Sequence, residues 1–253
     1  MAQLQRVAIA PHQFFDQRVV LTAEQQHYLA RVLRLRGGDR FIAMDGRGGG
    51  WLAELAQSLS EAVVVERLMQ KAKVELPLAI VLLVALPKGN GMDEVVRQVT
   101  ELGVSQILPV MGDRTLLNPS SQKLERWRRI AQEASEQSER QVVPEVASPL
   151  SFQQALKTWN STHASCYLCT ARSNSPHLLT CLQTQHLIDN THDARHDVQR
   201  LVIATGPEGG WTESEVEQAI ASGYQPVSLG QRILRAVTAP VTALSLIAAV
   251  AES

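Results

Sequence analysis

From Leu78 onward the apolar positions of the chain alternate between two spacings. LAIVLLVAL (78–86) is apolar throughout, the pattern of a strand covered on both faces. MDEVVRQVTELG follows, with Met92, Val95, Val96, Val99 and Leu102 on one helical face and Gly103 as the stop. SQILPVM reads as a strand, and SQKLERWRRIAQEASEQSER as a long helix striped by Leu124, Trp127, Ile130, Ala131 and Ala134. ASCYLCTA and RLVIATG are two further strands. A helix capped by Thr212 with Glu215, a short strand QPVSLG and an apolar helix VTALSLIAAVA complete the series. Such alternation predicts a mostly parallel α/β sheet with helices on both faces.

The first seventy or so residues follow another pattern, that of a small, mainly β module. DRFIAMDG and EAVVVERL have strand lengths and turn residues at their ends. TAEQQHYLARVLRL is the one good helix there, with Thr22 as N-cap and an apolar stripe of Leu29, Val32, Leu33 and Leu35. DGRGGGW reads as a flexible loop, and KAKVELP as a linker. The expected domains are therefore 1–73 and 74–253, with no internal repeat.

Composition and charge exclude more than they assign. Net charge is -1 over 253 residues, so no global field advertises nucleic acid. Three cysteines form no disulfide framework, the start has no apolar signal region, and LPLAIVLLVALP is too short to span a bilayer. A soluble, cytoplasmic protein is expected, with no membrane association. The basic residues cluster in RVLRLRGGDR, where Arg31, Arg34, Arg36 and Arg40 face a single Asp39. That cluster reads either as a phosphate-contacting patch or as a solvated helix face. Cys166 and Cys169 have the spacing of half a zinc site, but in a strand, positions three apart point to opposite faces, so core packing is expected and no metal. The histidines near 186–196 read as decoration of a polar loop. LPKGNGMD lacks the lysine-serine ending of a P-loop, and neither a G-x-G-x-x-G nor a G-x-S-x-G motif is present.

Two strand ends carry the candidate chemistry. In LVIATGPEGGWTESEVEQAI a buried strand gives way to Gly206, Pro207, Glu208, Gly209 and Gly210 before a capped helix, which is where open α/β sheets bind ligands. A plain chain reversal uses the same glycines. Some twenty residues on, VSLGQRILRAVTAPVTAL ends another strand at Leu229-Gly230. It brings Arg232 and Arg235 into the following loop before a helix that Thr238 can cap.

These segments, with LPKGNGMDEVVRQVTELGVSQILPV and EASEQSERQVVPEV, stand in the order and spacing of the RsmE family, which the chain closely resembles. HYLARVLRLRGGDRFIAMDGRGGGW is similar to that family's PUA-like RNA-binding domain. The resemblance implies a SPOUT-type α/β domain tied in a deep trefoil knot behind a small PUA-like β-barrel domain. The implied activity is S-adenosylmethionine-dependent methylation of a uridine at N-3 in 16S ribosomal RNA of the 30S subunit, by a homodimer with active sites at the subunit interface. Carried over by motif, Thr205, Gly206, Pro207, Gly209 and Gly210 would form one cofactor loop. Leu229, Gly230, Ile233, Leu234 and Thr238 would form the next. Arg235 and Arg140 would be catalytic, and Arg31, Arg34, Arg36 and Lys88 would contact RNA. The family usually reads R-[IV]-L-R-T-E-T-A where this chain reads RILRAVTA, so Ala236 and Val237 replace a threonine and a glutamate. A non-catalytic RNA-binding or ribosome-assembly relative, and a SPOUT methyltransferase with another ribosomal RNA target, are the alternatives.

Overall fold

The computed structural model describes residues 4–68, 74–115, 119–160, 162, 164–171, 174–184 and 199–253. The chain divides into two compact units: Met1–Glu75 with Gln132–Val143, and Leu76–Ala131 with Pro144–Ser253.

In the first unit, β1 (Arg6–Ala8), β2 (Phe14–Phe15), β3 (Arg18–Val20), β4 (Arg40–Met44), β5 (Gly50–Leu55) and β6 (Glu61–Leu68) form one curled sheet. Its order is β1-β4-β5-β6-β3-β2, with only β1 and β4 parallel. Alternate residues point inward, so Val7, Val19, Phe41, Ala53, Leu55 and Ala62 share a core with Ile9 and Leu29. Gln13 and Gln25 bond one another, and reach the carbonyls of Val20 and Ala8, so their amides link β3 to β1. The apolar look of EAVVVERL misleads in part: Ala62 is buried, but Val63 and Val65 face solvent.

Thr22 caps α1 (Ala23–His27) with Gln25 in a capping box, as expected. The helix does not run on to Leu35. A π turn over Tyr28–Val32 adds a residue to the register and Arg34 takes φ +58°, so Leu29 points inward while Val32, expected in the stripe, is 58% exposed. The glycine-rich loop is not loose either. The Asp45 carboxylate accepts from the amides of Arg47 and Gly49, and Gly48 donates to the Gln141 carbonyl.

The second unit contains β7 (Ala79–Ala85), α2 (Gly91–Glu101), β8 (Gln106–Met111), α3 (Ser121–Gln137) as far as Ala131, β9 (Glu145–Val146), β10 (Leu150–Ser151) and α4 (Phe152–Thr158). These are followed by β11 (Ser165–Cys169), α5 (Leu178–Thr184), β12 (Arg200–Thr205), α6 (Glu213–Ala221), β13 (Gln225–Val227) and α7 (Thr238–Ala251). All its strand pairs are parallel, in the order β10-β8-β7-β12-β11-β13 with β9 also on β8. β7 and β12 are buried almost throughout, as their unbroken apolar runs require. Cys166 and Cys169 are buried in β11, where burial pushes their thiols up to about 11 and about 12. The stretch 185–198, with His186, His192 and His196, lies outside the described residues. Among the described residues no helix is long and apolar enough to cross a membrane.

The last turns of α3 and the segment to Val143 belong to the first unit, an addition the linear division at 73/74 does not contain. Glu136 accepts from the Ala8 amide, Glu139 pairs with Arg6 at 2.9 Å, and Val142 bridges to Arg47. At its centre Arg140 is buried, its guanidinium donating twice to Glu75 Oε2 at 3.1 and 2.8 Å, while Glu75 Oε1 accepts from the amides of Gln141 and Val142. The Arg140 side chain is 4% exposed and that of Glu75 24%. Removing the carboxylate therefore strands a buried cation, which typically costs about 3–5 kcal/mol. Glu75→Ala should lower stability by about 3 kcal/mol in equilibrium urea unfolding, and more than Arg140→Met, which leaves the better-hydrated partner behind. Equal losses for the two variants would contradict this account.

Candidate cofactor site

β12, β11 and β13 are neighbours and parallel, so their carboxyl ends open onto one edge of the sheet. The loops leaving them enclose a cavity of about 320 Å³. Gly206, Pro207, Gly209 and Gly210 form one wall, and Leu229, Gly230, Ile233 and Leu234 another, so eight of the residues singled out from the sequence are brought together. Thr205 is wholly buried one position before the wall. Thr238 is exposed and does not line the cavity. Thr238 is also not the cap of α7: Val237 holds that position and Thr238 is the first helical residue, because the Arg235 carbonyl already accepts from the amides of Thr238 and Ala239. Residues that the motifs did not indicate complete the lining, notably Cys169 at the end of β11, Thr170 and Ala171 after it, and Trp211.

The wall is built around the Trp211 indole. It stacks on Phe152 with centroids 4.2 Å apart at 20°, and its Nε1 lies 3.1 Å from where a Cβ on Gly206 would stand. A side chain at 206 would have to displace a ring already packed from behind, so glycine is required by close approach. Gly210 and Gly230 take φ of +70° and +117°, which other residues rarely adopt. Trp211 Nε1 and Thr205 Oγ1 are buried without a hydrogen-bond partner among the described residues. Orphaned polar atoms beside bare backbone and an apolar cover (Ile233 is 60% exposed) make this cavity fit a planar ligand with polar edges.

Polar ties hold the glycine loop from its other side. Glu208 Oε1 accepts from the Lys88 amide at 2.9 Å, and Arg114 Nη1 donates to the carbonyl of Gly209. Glu215, buried at the start of α6, accepts from the amides of Thr212 and Asp113 at 2.7 and 2.9 Å. Glu208 thus acts as a hydrogen-bond acceptor that ties its loop to the one after β7. Arg232 lines the cavity, while Arg235 is exposed just outside the lining, with no acidic partner among the described residues. Arg140 belongs to the first unit. Its guanidinium is already occupied by Glu75 within the first unit, so its charge is compensated where it stands. Arg31, Arg34 and Arg36 are exposed and have no acidic side-chain partner among the described residues, whereas Arg40 pairs with Glu54.

Comparison with known proteins agrees with this geometry. Residues 74–248 match a family model described as an RNA methyltransferase domain, and residues 21–66 one described as an RNA methyltransferase PUA domain. The ribosomal RNA small subunit methyltransferase E of Synechocystis is 48% identical over 249 residues, covering 98% of this chain and 78% of that protein. Its counterpart in Bacillus subtilis is 32% identical over 90% of this chain and 88% of its own length. The crystal structure of a ribosomal RNA small subunit methyltransferase E from Neisseria gonorrhoeae bound to S-adenosyl methionine matches with a TM-score of 0.80 over 96% of both chains, at 30% identity. The expected SPOUT-type domain behind a PUA-like domain is thereby borne out. The chain belongs to the ribosomal RNA small subunit methyltransferase E family.

Proposed function

We propose that this protein methylates N-3 of a uridine in 16S ribosomal RNA, on the 30S subunit in the cytoplasm, using S-adenosylmethionine. The observation that carries the reading is the cavity at the ends of β12, β11 and β13, with its glycine wall, apolar cover and orphaned indole N–H. In this reading the loops at 205–210 and 229–238 are the crossings of a trefoil knot, a rare exception to the avoidance of threading. Bound there, S-adenosylmethionine supplies a methyl group on a strong leaving group. The residues of the chain are left with positioning and charge. Gly206, Gly210 and Gly230 bring backbone close to the ligand, and Ile233 with Leu234 shields it from water.

Uracil must lose its N-3 proton, and the charge then spreads onto the two flanking carbonyl oxygens. Arg235, exposed beside the cavity loop and unpaired among the described residues, is the group we assign to those oxygens, where its cation favours the anionic ring. Glu208 is engaged with the Lys88 amide, and Val237 provides no carboxylate, so the N-3 proton passes to solvent water and the cation stabilises the anion left behind. General-base assistance is typically worth about 10²–10⁴-fold, so its absence slows the reaction without abolishing it.

We also place a second copy of the chain over α7. That helix is mostly apolar, broken only by Thr238, Thr242 and Ser245, and Val241, Leu246 and Val250 are left half-buried, a surface that association would cover.

Single-turnover transfer of labelled methyl to 30S subunits, followed by mass mapping of the nucleotide, tests the function. Arg235→Ala should reduce the rate by about 10²–10³-fold. Val237→Glu should leave it similar or higher, with a weaker dependence on pH. A wild type with no transfer, active only as Val237→Glu, would favour the non-catalytic assembly protein, and methyl on another nucleotide would favour another target. Changing Arg31, Arg34 and Arg36 together to Ala should weaken RNA binding and flatten its logarithmic salt slope by about 2, at ~0.7–0.9 per phosphate contact. An unchanged slope would mark those arginines as a solvated face. Leu246→Arg should convert the dimer to a monomer in light scattering, and a wild type already monomeric would overturn the placement of the second copy.

A further inference from the structure

The glycine loop presents a physical problem of its own. Gly209 and Gly210 have no side chains with which to anchor themselves, and glycine loses more conformational freedom on ordering than any other residue. Inside the loop, one backbone bond closes the turn, from the Gly210 amide to the Pro207 carbonyl at 2.9 Å. The carbonyls of both glycines are met from outside by one group. Arg114 Nη1 donates to Gly209 O and lies 3.4 Å from Gly210 O, and the Arg114 stem crosses Gly209, its Cδ 3.2 Å from where a Cβ would stand.

Arg114 is itself presented by a built turn. Gly112 donates to the Thr115 hydroxyl at 3.1 Å, the Asp113 amide donates to the buried Glu215 carboxylate, and the Thr212 hydroxyl donates to Asp113 Oδ2 at 3.1 Å. Among the described residues Arg114 has no acidic side-chain partner, so its cation is spent on the two peptide carbonyls. Because each peptide is planar and trans, drawing the Gly210 carbonyl to one side turns the Trp211 N–H to the other. Trp211 is the residue whose indole backs the cavity wall.

We propose that Arg114 is a positioning residue of the cofactor site, holding the Gly209–Gly210 turn in the conformation that receives S-adenosylmethionine. The proposal rests on the reading of this cavity as the cofactor site. Arg114 touches neither methyl donor nor RNA. It raises the fraction of free protein whose loop is ready, and apparent affinity scales with that fraction. Both contacts fall on the one nitrogen Nη1, and the charge of the guanidinium strengthens each of them.

The test is calorimetric titration of the full-length protein with S-adenosylmethionine, together with amide hydrogen exchange of residues 209–211. Arg114→Ala should bind about tenfold more weakly, with faster exchange at those amides in the free protein and an unchanged unfolding midpoint. At saturating cofactor its methyl transfer rate should approach wild type while KM for the cofactor rises. Arg114→Lys should recover part of the affinity. Wild-type affinity or wild-type exchange in Arg114→Ala would overturn the proposal while leaving the cofactor site in place. A wild type that binds no S-adenosylmethionine would remove the site reading and the proposal with it.

Discussion

Six paired positions lock β12 to β7, from Arg200 against Ala79 to Thr205 against Val84, and four more lock β11 to its other side. The pairs are parallel and buried on both faces, so the strands cannot slide without unseating a whole apolar row. With the register held, the three chains that leave β12, β11 and β13 do so at one level and one edge. Backbone groups from separate parts of the sequence then converge on a single cavity. The cavity depends on that levelling, because it is lined by all three loops together.

The strand order also explains why the glycine loop can be bare on one side. β12 lies between β7 and β11, and β8 lies beyond β7. The loops after β7 and β8 supply Lys88, Asp113 and Arg114, and these grip the segment from Glu208 to Glu215 on that flank. The opposite flank, toward β11 and β13, is the cavity. One side of the loop is thus fastened by charge-assisted hydrogen bonds and the other is left as exposed backbone. That division lets a glycine-rich wall be both open to a ligand and ordered.

The alternation of strands and helices in the second unit was legible because buried parallel strands and amphipathic helices differ in period. The glycine-rich strand end at 206–210 stood out by residue type, whereas the full set of eight lining residues followed from the resemblance to the family motifs. Trp211 and the Thr170–Ala171 turn were not legible. The first acts through a stacking partner, Phe152, almost sixty positions away, and the second has no unusual residue type. The short helix α4 was missed although Ser151 and Gln154 form its capping box, since seven residues display too little periodicity. The early end of the α1 region depended on a π turn, which no spacing rule announces. Arg140 matched a motif in type and position, but its buried partnership with Glu75 is a contact across 65 residues that a local motif does not contain.

Val237 shows how a departure from the family motif can spare the scaffold. Its Cγ2 lies 2.9 Å from where a Cβ on Gly91 would stand, and Pro87 lies 3.2 Å from the same point, so the valine packs where α2 begins. A carboxylate at this position would face the positive end of that helix. The first turn of α2 already carries Asp93, held by Arg126 and Trp127, and Glu94, so the helix end does not lack negative charge. Valine therefore gives up an acceptor but keeps an apolar contact that fixes the start of α7 against α2. The loop bearing Arg232 and Arg235 remains anchored, and the backbone turn at Arg235 is closed by the amides of Thr238 and Ala239 rather than by any side chain. The placement of Arg235 is carried by backbone bonds that Val237 leaves untouched.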